Sequence, residues 1–198
     1  MPREGKMQPL KIAIIFLCSM QCFASEFETH LWPEEGRPVL KALTASLELR
    51  ETPYTISEIA SQIPVKIGMP IKFDITRYRT IKSGHLTALK NTTIKGRAMG
   101  ELSSLTKEQY YSDKFNTKDY LISVGDHIEY LQYRAEGTCF IRIKGNVIDA
   151  EECPVGIPEL FKTNREPTIE WWARVNIDNI IGWILVDGKE VGVDGRTY

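Results

Sequence analysis

Few side chains in this sequence could do chemistry. It has three histidines, His30, His85 and His127, and four cysteines, Cys18, Cys22, Cys139 and Cys153. The neighbours Asp126, His127 and Glu129 invite a general-base reading, because an imidazole beside a carboxylate can take up and hold a proton. On a strand, however, consecutive side chains face opposite ways, so Asp126 and His127 cannot share a site. Glu129 can share a face with His127, but no nucleophile or metal ligand is indicated beside them. The sequence contains no P-loop, dinucleotide fingerprint, His-Glu-x-x-His or Gly-x-Ser-x-Gly. The expectation is a non-catalytic protein with no catalytic residues, no metal site and no cofactor.

The aromatic residues are the better candidates. Trp171, Trp172 and Trp183 lie close to Arg174, and Tyr130 lies upstream with Tyr133. On a strand Trp171 and Trp172 must face opposite sides, so one is expected in the core and the other at the surface. An exposed indole beside Arg174 is the kind of surface that grips a peptide or glycan. Trp171, Trp172, Arg174, Trp183 and Tyr130 are therefore the expected ligand-binding residues, against the plainer reading that aromatics serve packing. Arg77-Tyr78-Arg79 with Lys82 reads as a solvated strand end, or else as a contact for an acidic peptide or partner protein.

The elements that would position these residues are short. Ile71–Thr76 alternates, with Ile71, Phe73 and Ile75 inward. Leu40–Arg50 alternates loosely, and Leu86–Lys90, Thr92–Arg97, Tyr120–Val124 and His127–Arg134 read as further strands. Thr138–Lys144 and Val147–Glu151 form a predicted hairpin about Gly145-Asn146. The ending is the most legible part: Glu170–Asn176, a turn at Asp178-Asn179, Ile180–Val186, a hairpin turn at Asp187-Gly188, then Lys189–Val193. Thr55 with Glu58 and Thr106 with Gln109 match capping boxes and predict short helical turns, while Pro154–Pro167 reads as a loop.

Composition fits this picture. The chain has 198 residues, with 42% hydrophobic, 26% charged and a formal net charge of −1, which gives no reason to expect nucleic acid as a partner. Arg3, Lys6 and Lys11 precede the apolar run Ile12–Cys18, and Cys22 and Ala24 supply the small residues of a cleavage site. Residues 1–24 thus read as a secretory signal peptide, since an anchor wants about 20 consecutive apolar residues. The expected mature chain has no transmembrane anchor, is exported to a periplasmic or extracellular location, and keeps two cysteines. In an oxidising compartment Cys139 and Cys153 most simply form one disulfide, worth roughly 3 kcal/mol for a loop of this length.

Two stretches carry a resemblance. Glu170-Trp-Trp-Ala-Arg-Val175 followed by Gly182-Trp-Ile-Leu-Val186 resembles the end of a bacterial SH3-like (SH3b) domain. Ala45-Ser-Leu-Glu-Leu-Arg50-Glu-Thr-Pro53, with Gly68-Met-Pro-Ile-Lys72 downstream, resembles the beginning of one. The opening and closing motifs lie far apart, so the chain holds either two diverged units or one unit with a large insertion. The Gly125-Asp-His-Ile-Glu-Tyr130 run favours two.

The expected architecture is therefore all-β and mainly antiparallel, with two small SH3-like barrels and short helical turns. Its divisions are a signal peptide (1–24), an irregular lead-in (25–38), a first unit (39–115) and a second unit (116–198). The resemblance implies recognition of a peptidoglycan peptide. An envelope protein partner, met by an adaptor or inhibitor, is the alternative, and a small cell-wall hydrolase the weaker third.

Overall fold

The computed structural model describes residues 27–30, 37–99 and 117–197. The signal segment and the Thr106 turn lie outside the described residues. Within them the elements are strands, apart from a 3-10 turn at Pro154–Gly156. In chain order these are β1 (Phe27–Thr29), β2 (Arg37–Ala42), β3 (Ser46–Arg50), β4 (Ile59–Pro64), β5 (Pro70–Ile71), β6 (Phe73–Lys82), β7 (Gly84–Ala88) and β8 (Thr92–Ala98). Then follow β9 (Lys118–Ile122), β10 (His127–Tyr133), β11 (Cys139–Ile143), β12 (Asn146–Ala150), β13 (Phe161–Arg165), β14 (Thr168–Ile177), β15 (Ile180–Leu185) and β16 (Val191–Thr197).

Three antiparallel sheets result, ordered β1-β6-β14-β15-β3-β4, β13-β7-β10-β11-β12-β8-β9 and β16-β2-β5. The fold is all-β, as the short alternating runs predict. Among the described residues none of the three sheets closes on itself, so open sheets stand where two barrels were expected.

Nor do the strands sort at residue 115. β2 pairs with β16 and β6 with β14, while β7 pairs with β10 and β13, and β8 with β9 and β12. The two ends of the chain therefore build one core, in which Leu40, Leu47, Leu49 and Phe73 pack with Ala173, Val175 and Ile184. The middle builds another from Leu86, Ile94, Ile128, Ile141, Ile148 and Phe161. This pairing is that of one unit interrupted by a long segment, not of consecutive units 39–115 and 116–198. Alternation fixes which face a strand buries but not which strand it joins.

The middle segment begins and ends at one tight junction. β6 passes to β7 through Ser83 alone, and Arg165 donates from Nε and Nη2 to the Ser83 carbonyl at 3.1 and 2.8 Å. A Cβ on Gly84 would lie 2.8 Å from the Arg165 carbonyl and 2.9 Å from Pro167, so glycine is what lets the two crossings touch. Thr80 Oγ1 donates to the Leu131 carbonyl at 2.8 Å and joins the two large sheets.

Several local expectations change. The capping-box helix at Thr55 does not form. Residues 51–58 are a loop, and Ile59–Pro64 is β4, paired with β3 so that Ile63 sits opposite Leu47 in the core. The 40–50 run is two strands, β2 and β3. A bulge where Arg174/Val175 meet Ile75/Phe73 shifts the alternation of β6, so Thr76, Tyr78 and Thr80 are buried and Ile75 only partly so. Pro154–Pro167 contains β13, and the lead-in contains β1. Asp187-Gly188 does turn the chain, but β16 leaves β15 and pairs with β2.

The Cys139–Cys153 disulfide is present, with Cα atoms 5.2 Å apart. Its hairpin turns at Lys144-Gly145, both at positive φ (49° and 85°), one residue earlier than expected. Cys139 therefore faces Ala150, and the chain must leave β12 before Cys153 can reach it. The Cys153 amide donates to the Gly137 carbonyl there.

Candidate functional site

The face of the six-stranded sheet turned away from its core gathers most of the sequence-predicted residues. On β14, Glu170, Trp172 and Arg174 stand opposite Arg79, Arg77 and Ile75 of β6. Trp172 and Arg174 stand opposite Leu185 and Trp183 of β15. Between them, Trp171, Ala173 and Val175 belong to the core side. The two neighbouring tryptophans thus face opposite ways, as a strand requires.

Burial, however, leaves neither indole as the exposed one. Trp172, on the outer face, is only 1% exposed, and Trp171 on the inner side stacks on Tyr78 with ring centroids 5.2 Å apart. The covering element on the outer face is the 51–58 loop. Arg50 Nη1 donates to the carbonyls of Thr55 and Ser57 at 2.8 and 2.6 Å. Arg79 Nη1 donates to the Pro53 carbonyl at 2.8 Å, and its guanidinium lies 3.8 Å from the centre of the Tyr54 ring. Two arginines on strands thereby hold one loop in place.

Arg79 is the pivot of this arrangement. It is 2% exposed, which corrects the expectation of a solvated Arg77–Lys82 patch. A buried guanidinium is tolerable only when paired, and its planar fork can serve a carboxylate, a carbonyl and a ring together. Glu170 Oε2 accepts from Arg79 Nη1 and from the Trp172 indole N–H, each at 3.0 Å. Glu28 Oε2 lies 3.6 Å from Arg79 Nε and also pairs with Arg77.

Above this floor opens a cleft of about 240 Å³ lined by Tyr54, Thr55, Ile56, Arg79, Ile81 and Glu170. Its rim is apolar, with Ile56 69% and Ile81 41% exposed. The Glu170 carboxylate at its floor is already engaged twice, by Arg79 and by the Trp172 indole. What it can do is hold an apolar group against a rigid, charge-compensated base.

Of the five residues expected to bind ligand, the sheet brings Trp172, Arg174 and Trp183 to this outer face. Trp183 is half-buried, opposite both Arg174 and Arg50 in register. Arg174 is occupied by Asp74, donating from Nε at 3.0 and 3.2 Å, and this hydrogen bond holds the Asp74 carboxyl below its ordinary value. Trp171 is turned inward. Tyr130 is elsewhere, 6% exposed in the core of the seven-stranded sheet, where burial, followed by the charges of Glu166 and Tyr133, pushes its phenol up to about 12. Tyr54, Ile56, Ile81 and Glu170 were not singled out in the sequence. Glu170 stood in the aromatic motif, but only the cross-strand register shows that it meets Arg79.

The polar triplet at 126–129 also resolves. The Asp126 carboxylate accepts from the Ser123 amide at 2.9 Å, and Glu129 pairs with Arg142. His127 lies beside His85, ring centroids 4.7 Å apart. Among the described residues no three or more His, Cys, Asp and Glu side chains gather as a metal cluster, and no helix is long and apolar enough to cross a membrane. No protein-family model, curated protein or solved structure matches this chain.

Proposed function

We propose that this chain is an exported, non-catalytic SH3-like binding protein that takes a short peptide of the cell wall, a peptidoglycan stem, on the outer face of its six-stranded sheet. The observation that carries the reading is the braced cleft. Its apolar rim at Ile56 and Ile81 accepts a small apolar side chain, while the paired Arg79–Glu170 floor keeps the site rigid without leaving a charge to be neutralised. The cleft holds only a side chain or two, so the rest of the ligand would lie along Arg174 and Trp183. The resemblance of Ala45–Pro53 and Glu170–Val186 to SH3b motifs supports the same ligand class, by analogy of fold.

The second reading, an adaptor for an envelope protein, is favoured by β9. Among the described residues that strand ends the seven-stranded sheet, with Leu121 77% exposed, and an edge of this kind can take a strand from another chain.

Sedimentation with purified peptidoglycan sacculi tests the first. The protein should pellet with the sacculi, and Ile56→Asp should abolish this while leaving the fold intact, because Ile56 is exposed on a loop. Trp171→Ala and Trp172→Ala are poor probes here, since both indoles pack. Failure to pellet, or pelleting indifferent to Ile56→Asp, would remove the wall-peptide reading and leave the β9 edge.

A further inference from the structure

The polar face of the seven-stranded sheet carries a second assembly, independent of the cleft. His127 of β10 stands opposite Thr87 of β7, and Glu129 opposite His85. These four side chains share the face turned away from the core, because the intervening Leu86 and Ile128 are core residues. A third strand joins through an irregularity. Between Thr163 and Arg165 the register of β13 slips, leaving Asn164 as the extra residue. A bulge re-aims the side chain it carries. The Asn164 amide accordingly reaches both Thr87 and His85, with Nδ2 donating to Thr87 Oγ1 at 2.7 Å and lying 3.4 Å from His85 Nδ1. Thr87 Oγ1 is in turn 3.4 Å from His127 Nδ1.

This relay can run in either direction. With the amide nitrogen inward, Asn164 donates to both neighbours, Thr87 donates to His127, and both imidazoles carry their proton on Nε2. With the amide turned over, His85 Nδ1–H and the Thr87 hydroxyl donate to Asn164 Oδ1, and His127 Nδ1–H donates to Thr87. Every contact is kept, and both Nε2 lone pairs are then open. Fixing one ring nitrogen by a hydrogen bond so that the other can bind is how metal-bound imidazoles are held.

The ring spacing fits the same use. Two imidazoles bound to one ion through nitrogens at about 2.0–2.1 Å place their ring centres roughly 4.5–5.2 Å apart for bond angles of roughly 90–110°. The observed separation is 4.7 Å.

We infer that His85 and His127 form a two-imidazole site for a divalent transition ion of the copper, nickel or zinc kind, oriented by Thr87 and Asn164, with water completing the coordination. Imidazole ligands favour these ions, and Cu²⁺ binds most tightly among them. Glu129 is on the same face but is engaged by Arg142, and Lys162 stands opposite Thr87. The surrounding charge therefore gives no help. Affinity rests on the two rings.

The test is a titration of the full chain, disulfide intact, with Cu²⁺ in a non-chelating buffer, read by electron paramagnetic resonance. The expected species has two coordinating imidazole nitrogens. His85→Asn and His127→Asn should each weaken it by roughly tenfold or more, while His30→Asn leaves it unchanged. Circular dichroism checks that each variant is folded. No binding below millimolar Cu²⁺, or binding that survives both His85→Asn and His127→Asn, would overturn the assignment.

Discussion

Each large sheet buries a carboxylate against an arginine, and the two pairs have different surroundings. In the six-stranded sheet Glu170 meets Arg79, with side chains 12% and 2% exposed. In the seven-stranded sheet Asp149 meets Arg134, at 5% and 22%. Glu170 has two donors converging on one oxygen and lies under a loop that opens into a cleft. Asp149 lies within β12, opposite Phe140 and Arg97, and its pair ties that strand to the residue following β10. Burial is the largest influence on Asp149 and raises its pKa, with Arg134 pulling the other way. A buried ion pair alone is thus no sign of a site. The braced loop and the apolar rim distinguish one from the other.

The largest effect that can break or sharpen this contrast is on stability. Glu170→Gln leaves Arg79 buried with only Glu28 for charge, even though the amide oxygen can still accept from both Arg79 and the Trp172 indole N–H. The loss should be roughly 3 kcal/mol, toward the lower end for breaking a buried pair because Glu28 remains. Asp149→Asn should cost only about 1 kcal/mol at neutral pH, since it also removes a carboxylate whose ionisation burial disfavours. Urea denaturation of the two variants gives the comparison, and equal losses would erase the distinction. The pH dependence has a definite sign. A raised folded pKa means that ionised Asp149 destabilises the fold above that pKa, and that this cost is relieved as pH falls through it. The wild type should therefore gain on Asp149→Asn on acidification.

The smallest effect belongs to the exposed pair on the same outer face. Arg174 lowers the pKa of Asp74, so the stabilisation is present above the unfolded value and lost as pH falls through the folded one. Solvent screens both partners. Asp74→Asn should shift the denaturation midpoint only slightly at low ionic strength and not measurably in high salt. A large, salt-insensitive shift would mean that this pair, too, is part of the rigid base.

Much of the fold is legible in the sequence, because strands bury alternate residues and turns demand particular backbone angles. The Asp178-Asn179 turn, with φ of 51° and 67°, joins β14 to β15 as read, and the two tryptophans point opposite ways. Pairing between distant strands is not legible. Nothing local in β6 announces that it lies against β14 across the whole middle segment, so neither the strand pairing across residue 115 nor the burial of Arg79 could be read there. The site suffers for the same reason. Arg79, Glu170 and Tyr54 come from three separate parts of the chain, and only the register of β6 on β14 and the fold of the 51–58 loop unite them. The capping box at Thr55 offers a helix that loses to burial of Ile63 against Leu47, a contact no short window contains.

The central claim, that the braced cleft is where a wall peptide binds, is met most directly by an NMR titration of the ¹⁵N-labelled protein with soluble peptidoglycan stem peptides. The account predicts shifts at the amides of Tyr54, Thr55, Ile56 and Ile81 and at the Trp172 indole N–H, which reports on Glu170. Shifts confined to the seven-stranded sheet, or none at all, would contradict it.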